Sequence, residues 1–250
     1  MSAPHNVSRH RHYPLPGTHN MRDVGGYRTG SGGLIRMRTL IRADALHRLG
    51  ATGFAAIADL GVRTVLDLRE AAERESAPCV FPGSSPAVRW LPIFGNRIPV
   101  GGQLPLERIY QHMVEDFGAG LTAAVRELAR PGTLPAIVHC SAGKDRTGVV
   151  VALALSVAGV APEVIAEDYA LSAHYLGDEF LADLKRRMAA LGVPQQRIDG
   201  HEIVCPPELI LSTLESINRR HGSVSGFLLD HGATPGELAT LRAALVEQPG

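Results

Sequence analysis

The sequence lacks several features that mark other classes of protein. Lysine plus arginine equals aspartate plus glutamate at 25 each, so the formal net charge is zero, which argues against nonspecific nucleic-acid binding. No charged segment followed by an apolar run opens the chain, so we expect no signal peptide. The longest apolar run, residues 149–161, is interrupted by Ser156 and Gly159 and is too short to span a bilayer. We therefore expect a buried helix there and no integral membrane segment.

Cysteine is also scarce. The chain has three, Cys79, Cys140 and Cys205, and an odd number without framework spacing predicts a reducing compartment and no structural disulfide. No C-x-x-C pair is present, and His139 is directly adjacent to Cys140, which does not fit the ligand spacing of a zinc site. We expect no metal, no cofactor and a cytoplasmic location, with non-classical export and the oligomeric state left open.

The domain organisation follows from length and pattern. A chain of 250 residues that is 45% hydrophobic fits one domain with a full core. We predict a flexible N-terminal tail over residues 1–17 and a single domain over 18–250. Strand patterns such as residues 62–69 alternate with helix patterns until about residue 205, after which only helices follow. This order predicts an α/β fold with a central, mostly parallel sheet flanked by helices and a C-terminal helical section.

The first predicted pair of strands is a β-hairpin. Residues 20–27 enter it, the turn lies near 29–33 and the return strand covers 34–41. Arg22 and Asp23 precede a glycine pair, which makes them candidate supporting residues of a site. An ion pair between them that fixes the entry of the hairpin explains them equally well.

The most informative stretch is residues 136–151. An apolar, β-type run ends at His139, a polar segment of small residues follows, and a long apolar helix pattern comes next. A strand, a tight loop and a helix in this order direct backbone N–H groups and a helix N-terminus at one point, which binds anions. Cys140 lies at the start of this loop and Arg146 six residues later. The pattern indicates a cysteine nucleophile inside a phosphate-binding loop.

Other interpretations of this loop compete with that one. A nucleotide-binding P-loop needs glycine and serine or threonine where the chain has Val138 and Asp145. A structural, buried Cys140 does not explain why Lys144 and Arg146 follow it in a glycine-containing loop. A rhodanese-like sulfurtransferase and a non-catalytic phosphate-binding module remain as alternatives to a cysteine-dependent phosphatase with the signature H-C-x5-R.

The phosphatase interpretation assigns a role to each residue. Helix N-termini and neighbouring cations stabilise the thiolate form of cysteine, so we expect Cys140 to be an anionic nucleophile that forms a phosphocysteine. Arg146 would bind two phosphate oxygens with its planar fork. His139 would orient the loop, and Thr147 would hydrogen-bond the thiolate or cap the helix. The predicted phosphate-binding residues are Ser141, Ala142, Gly143, Lys144, Asp145 and Arg146.

The run from His139 to Gly148 resembles the loop of the atypical bacterial protein-tyrosine phosphatases with the H-C-x-x-G-K-D-R signature. Further blocks resemble that family in the same order, over about residues 15–246. The resemblance implies a phosphatase α/β fold, Cys140 as nucleophile, phosphate binding by the loop and Arg146, and a helical lid, here residues 93–105 with a helix over 176–191. The other matching blocks are residues 20–27, 42–46, 66–69, 168–172, 222–224 and 238–245.

The resemblance also bears on substrate and proton donor. The family acts on phosphotyrosine, phosphoserine or phosphothreonine, and phosphoinositides; Lys144 adds a charge that favours highly charged substrates, so a phosphoprotein or a phospholipid is the expected partner. Conventional tyrosine phosphatases carry their general acid in a W-P-D loop, whereas Trp90 here begins a W-L-P run without aspartate. Asp145 is the favoured general acid. Its alternative role is to hold the guanidinium of Arg146. Asp67, at the end of a strand, is the alternative acid.

Overall fold

The computed structural model describes residues 11–95, 105–190 and 203–248. Its strands are β1 Arg22–Asp23, β2 Leu34–Ile35, β3 Leu40–Ala43, β4 Thr64–Asp67, β5 Ala87–Trp90, β6 Ala136–His139 and β7 Val246–Glu247. Its helices are α1 Ala51–Asp59, α2 Ala71–Ser76, α3 Leu106–Asp116, α4 Gly118–Ala129, α5 Asp145–Ala158, α6 Pro162–Ala190, α7 Pro207–His221, α8 Val224–Asp230 and α9 Pro235–Leu245.

The main sheet has the strand order β1-β3-β6-β4-β5. Strands β3, β6, β4 and β5 are parallel to their neighbours, and only β1 pairs in the antiparallel sense. The last residue of β6, His139, lies in register with Ala43 on one side and Asp67 on the other. The carboxyl ends of three strands therefore meet where the Cys140 loop begins. This confirms the predicted α/β fold with a central, mostly parallel sheet and flanking helices.

Apolar side chains fill both faces of this sheet. The larger cluster joins Leu66 and Val138 to the apolar residues of α5, α7 and α9, and the smaller one packs Ile41, Val65 and Ile137 against Ile57 of α1. Helix α5 is buried along almost its whole length, as the apolar run at 149–161 predicts. Among the described residues, no helix is long and apolar enough to cross a membrane.

The N-terminal hairpin differs from its prediction. The expected return strand over 34–41 is divided in two. β3 pairs antiparallel with β1, as the hairpin predicts, whereas β2 pairs with β7 near the C-terminus. The break lies at Arg38, whose φ of 56° is left-handed. Its N–H donates to the Asp23 carboxylate at 2.6 Å, which fixes the turn between the two strands.

Two further boundaries differ from expectation. Residues 11–17, assigned to a flexible tail, contact the domain: Arg11 is buried, and the Tyr13 N–H donates to the Met21 carbonyl at 3.0 Å. Helix α6 extends to Ala190 and is interrupted at Gly177, whose φ of 48° is non-helical. Part of the proposed lid, residues 96–104 and Leu191, lies outside the described residues.

Candidate active site

The Cys140 loop leaves the carboxyl edge of the sheet and enters α5. Cys140 is a free thiol and only 2% exposed. Helix α5 begins at Asp145, with Lys144 in the N-cap position, and no side chain within the described residues caps this end. The first N–H groups of the helix therefore lack side-chain acceptors, and the positive end of its dipole is directed at the loop. A helix end of this kind can receive an anion, which is the role that residues 136–151 predict for it.

The carbonyl groups of residues 141–143 are held from outside the loop. The Ser141 carbonyl accepts from the Ala45 N–H at 3.1 Å. The Asn20 amide donates to the next two carbonyls at 2.9 and 3.1 Å, and Arg42 Nη2 also reaches the Gly143 carbonyl at 2.9 Å. Because these carbonyls are bound on the outer side, the loop leaves its N–H groups for a ligand on the inner side.

Gly143 is the residue that this backbone path requires. Its φ is +66°, and a Cβ added there would lie 2.3 Å from the Ala43 carbonyl oxygen and 2.6 Å from the Asp44 nitrogen. Both obstacles are backbone atoms at the carboxyl end of β3, so neither can rotate away. Glycine is needed both for the left-handed backbone and for the close approach to that strand end.

A buried ion-pair network stands behind the loop. Asp168 of α6 accepts from Arg42 Nη1 at 2.6 Å and from Arg22 Nε at 3.3 Å, and all three side chains are at most 1% exposed. Burial would raise the pKa of Asp168, but the charges of the two arginines outweigh it and lower the pKa overall. Arg22 also donates to Asn20 Oδ1, which orients the amide so that its NH2 group faces the loop.

Arg22 and Asp23 therefore have separate roles. The predicted ion pair between them is wrong, because the Arg22 partner is Asp168. The Asp23 carboxylate instead accepts from the backbone N–H groups of Gly25, at 2.7 Å, and Arg38, at 2.6 Å. Arg22 supports the loop through Asn20, whereas Asp23 shapes the β2–β3 region.

The guanidinium of Arg146 is held by Glu73 of α2. Nη1 donates to Oε2 at 2.5 Å and Nη2 to Oε1 at 2.7 Å. A guanidinium has a second fork, formed by Nε and Nη2, and that fork has no protein acceptor among the described residues. Burial lowers the pKa of Arg146, but the hydrogen bond with Glu73 and the charge of the nearby Cys140 raise it overall. The alternative role of Asp145, holding Arg146, is wrong.

Glu73 itself is fixed by several donors. The Ser141 hydroxyl donates to Oε1 and the Glu70 N–H to Oε2 at 2.9 Å. Burial would raise the pKa of Glu73, but the hydrogen bonds and charge of Arg146, together with Ser141, lower it to about 2. The site therefore holds a permanent carboxylate that orients Arg146.

Asp67 is placed near the loop but is bound as an anion. Arg69 donates to both of its oxygens at 2.9 and 2.8 Å, and Arg74 reaches Oδ2 at 3.2 Å. Burial raises the pKa of Asp67, but the Arg69 hydrogen bonds and the charges around it lower it overall. A carboxylate held in this way is poorly suited to carry a proton to a leaving group.

Asp145 has a different environment. Its side chain is 30% exposed, Oδ1 accepts from the Tyr110 hydroxyl at 2.9 Å, and Lys144 Nζ lies 3.4 Å from the same oxygen. The Lys144 side chain is 3% exposed, and its ammonium also donates to the Val204 carbonyl at 3.2 Å. The Lys144 ammonium is therefore bound to groups beside the loop. The part of Lys144 that belongs to the loop itself is its backbone N–H.

The two supporting residues of the loop are both fully buried. Burial lowers the pKa of His139 to about 4, so its ring is neutral at pH 7, and Nδ1–H donates to the Cys140 carbonyl at 3.1 Å. This contact fits the predicted orienting role. Thr147 does not cap α5, because Lys144 occupies that position. Its hydroxyl has no partner among the described residues, which leaves it for the predicted contact with the thiolate.

Sequence reasoning missed Asn20, Arg42, Glu73 and Tyr110. Asn20 and Arg42 lie in blocks that match the family. A polar side chain in such a block could have marked each of them as a candidate site residue. Glu73 lies in a charged segment that reads as a solvated helix face, and Tyr110 in an ordinary amphipathic helix, so neither carries a local signal. The described residues contain no cluster of three or more His, Cys, Asp or Glu side chains that could hold a metal ion.

The fold and the loop together define a phosphatase. The model of the tyrosine phosphatase family matches residues 13–247, so this chain belongs to that family.

The relatives described here share less than a third of their residues with this chain. The chain is 28% identical to the triple specificity protein phosphatase PtpB of Mycobacterium tuberculosis, covering 93% of this chain and 98% of that protein. It is 28% identical to a tyrosine-protein phosphatase of Nostoc commune, covering 82% and 73% respectively. A solved structure of P. aeruginosa TpbA in complex with pTyr superposes with a TM-score of 0.38 at 22% identity, covering 72% of this chain and 89% of that one.

Proposed function

We propose that this protein hydrolyses phosphotyrosine monoesters through a phosphocysteine intermediate. The Cys140 thiolate attacks phosphorus, the P–O bond to the leaving group breaks, and Asp145 gives its proton to the departing phenoxide. Water then attacks phosphorus, Asp145 takes a proton from it, and the S–P bond breaks to release phosphate and the thiolate. The observation that carries the proposal is a free, buried Cys140 at the N-terminal end of α5, within the field of Arg146.

The choice of Asp145 as acid rests on the contrast with Asp67. Asp67 is 2% exposed and accepts from two arginines. Asp145 is 30% exposed, accepts from the neutral phenol of Tyr110 at 2.9 Å, and has a single, more distant cation, the Lys144 ammonium at 3.4 Å, among the described residues. We expect Asp145→Asn to remove the basic limb of the pH–rate profile and Asp67→Asn to keep it. The reverse result would transfer the acid role to Asp67.

The relatives support a protein substrate. Their names describe a triple specificity protein phosphatase and a tyrosine-protein phosphatase. The case for a phosphoinositide rests on Lys144, and its ammonium has partners in Val204 and Asp145. We therefore place phosphotyrosine first, phosphoserine or phosphothreonine second and phosphoinositides third. One preparation assayed on a phosphotyrosine peptide, a phosphoserine peptide and a phosphoinositide at equal concentration tests this order; faster release from the lipid contradicts it.

The decisive variant is Cys140→Ser. We expect it to abolish hydrolysis of an aryl phosphate while it still binds vanadate or phosphate, because the loop N–H groups and Arg146 remain. Wild-type turnover in this variant would contradict the proposal, and an inactive wild type that binds phosphate would favour the non-catalytic alternative. Transfer of sulfur from thiosulfate would favour the sulfurtransferase alternative.

The proposed cytoplasmic location is tested separately, by fractionation of the native host.

A further inference from the structure

Two buried tyrosines form a chain of hydrogen bonds that ends on Asp145. The Tyr110 hydroxyl donates to Asp145 Oδ1 at 2.9 Å, and the hydroxyl of Tyr169 lies 2.7 Å from that of Tyr110. Both rings are 1% exposed, and they meet edge to face with centroids 6.1 Å apart. None of the chemistry proposed above uses either phenol.

The direction of this chain is fixed by proton counting. Each phenol has a single proton. Since Tyr110 gives its proton to the carboxylate, its oxygen accepts from the Tyr169 hydroxyl. Each bond in such a chain polarises the next, so Tyr169 strengthens the donation of Tyr110 to Asp145.

Both phenols stay protonated over the pH range in which the enzyme would work. Burial is the largest influence on each, and with the nearby charge of Asp145 it raises the pKa of Tyr110 and Tyr169 well above the ordinary value of 10.0. They are therefore permanent donors rather than proton carriers. A buried phenol is costly unless its hydroxyl is paired, so two phenylalanines would serve better if only packing were needed.

The donors select one oxygen of Asp145. The Tyr110 hydroxyl donates to Oδ1 at 2.9 Å, and the closest contact of the Lys144 ammonium, at 3.4 Å, is with the same oxygen. A proton on the carboxylic acid is therefore favoured on Oδ2, because Oδ1 is already occupied as an acceptor. An acid that must donate to a leaving group benefits from having its proton on a defined oxygen.

We propose that Tyr110, supported by Tyr169, is the positioning residue of the general acid Asp145, and that it fixes the proton on Oδ2; this rests on the proposed function. The titratable groups that face Asp145 in the described residues come from three further elements. They are Lys144 on its own loop, Tyr110 on α3, Tyr169 on α6 and Cys205 before α7.

Close packing between helices holds the pair in place. A Cβ added at Gly148 of α5 would lie 2.9 Å from Cδ2 of Tyr169. The missing side chain at position 148 thus lets the Tyr169 ring lie directly on the helix that begins with Asp145. Tyr110 reaches the same point from α3, whose other inward residues Met113 and Val114 are buried in the core.

The test is the pH dependence of kcat in Tyr110→Phe. Removing a donor to the carboxylate favours its protonated form, so the basic limb should move to higher pH by about one unit. The plateau value of kcat should fall more for phenyl phosphate, which has the poorer leaving group, than for 4-nitrophenyl phosphate, because a misplaced acid affects the poorer leaving group more. KM should change little, since no phosphate contact is removed.

Two variants serve as controls. Tyr169→Phe keeps the bond from Tyr110 to Asp145, so it should move the basic limb in the same direction by a smaller amount. Tyr175 has no contact with Asp145, Tyr110 or Tyr169 among the described residues. Its ring packs on His12 and lies 5.4 Å from the Arg22 guanidinium, contacts that phenylalanine keeps, so Tyr175→Phe should leave the profile unchanged. Thermal melting of each variant, with vanadate binding, shows whether the site is still folded.

The outcomes separate this inference from the proposed function. If folded Tyr110→Phe and Tyr169→Phe lower the melting temperature but leave the basic limb in place, both tyrosines are structural and the inference is overturned. If Asp145→Asn keeps the basic limb, the acid assignment itself fails. If Tyr110→Phe does not fold, Tyr169→Phe decides alone, and an unchanged limb in that variant overturns the inference.

Discussion

Glu73→Gln removes the negative charge that holds Arg146 and keeps the shape of the side chain. The pKa of Glu73 is about 2 against an ordinary 4.5, which corresponds to an upper value of about 3 kcal/mol at ~1.36 kcal/mol per pKa unit. The side chain is 25% exposed, so solvent screens part of this. We therefore expect a loss of about 1–2 kcal/mol in the free energy of unfolding.

The catalytic effect of this variant should be larger than its effect on stability. An Arg146 guanidinium held at 2.5 and 2.7 Å presents its second fork in one orientation. Losing one charge-assisted hydrogen bond costs ~1.5–3 kcal/mol, which predicts a fall in kcat/KM of roughly tenfold to a hundredfold. The measurement is kcat/KM on 4-nitrophenyl phosphate, together with urea unfolding. Glu75→Gln, an exposed neighbour on the same helix, is the matched control and should behave as wild type.

The pH dependence of stability gives a second check on Glu73. Because its pKa is lowered in the folded state, its contribution is complete above pH 4.5 and is lost as the pH falls towards about 2. Wild type should therefore lose more stability than Glu73→Gln over this interval. If Glu73→Gln keeps both the wild-type kcat/KM and the wild-type acid sensitivity, the reasoning about Arg146 is refuted.

Two further variants test the framework of the loop. Gly143→Ala places a Cβ 2.3 Å from the Ala43 carbonyl oxygen at a φ of +66°. Because the loop must then shift, we expect the melting temperature to fall and phosphate binding to be lost. Unchanged binding of vanadate contradicts this. Asp168→Asn leaves Arg22 and Arg42 buried without a counter-charge, which costs ~3–5 kcal/mol of folding free energy. This should lower the melting temperature by roughly 10 °C. A shift within about 2 °C contradicts the role of this network.

The strand, loop and helix at 136–151 were predictable because their signals are local. The apolar β run, the glycine-containing loop and the apolar helix are contiguous in sequence, and the structure has them as β6, the Cys140 loop and α5. Asp67 was also located correctly, at the carboxyl end of β4 next to His139. Its environment was not predictable, because the two arginines that bind it could equally have faced solvent.

The residues that orient the loop could not be found from local patterns. Asn20 is 122 residues from Ala142, and Glu73 is 73 residues from Arg146. Such contacts depend on how the strands are ordered in the sheet, which periodicity does not give. The return strand over 34–41 failed in part for the same reason, since β2 pairs with β7 at the far end of the chain.

The most direct test of the central claim is to trap the covalent intermediate on Cys140. Enzyme mixed with an aryl phosphate is quenched in acid during turnover, digested, and its cysteine peptides are examined by mass spectrometry. We predict phosphate on the peptide that contains Cys140, and none on that peptide in Cys140→Ser. Phosphate on a different residue would contradict the account. So would the absence of any labelled peptide when a burst of the phenol product shows that an intermediate accumulates.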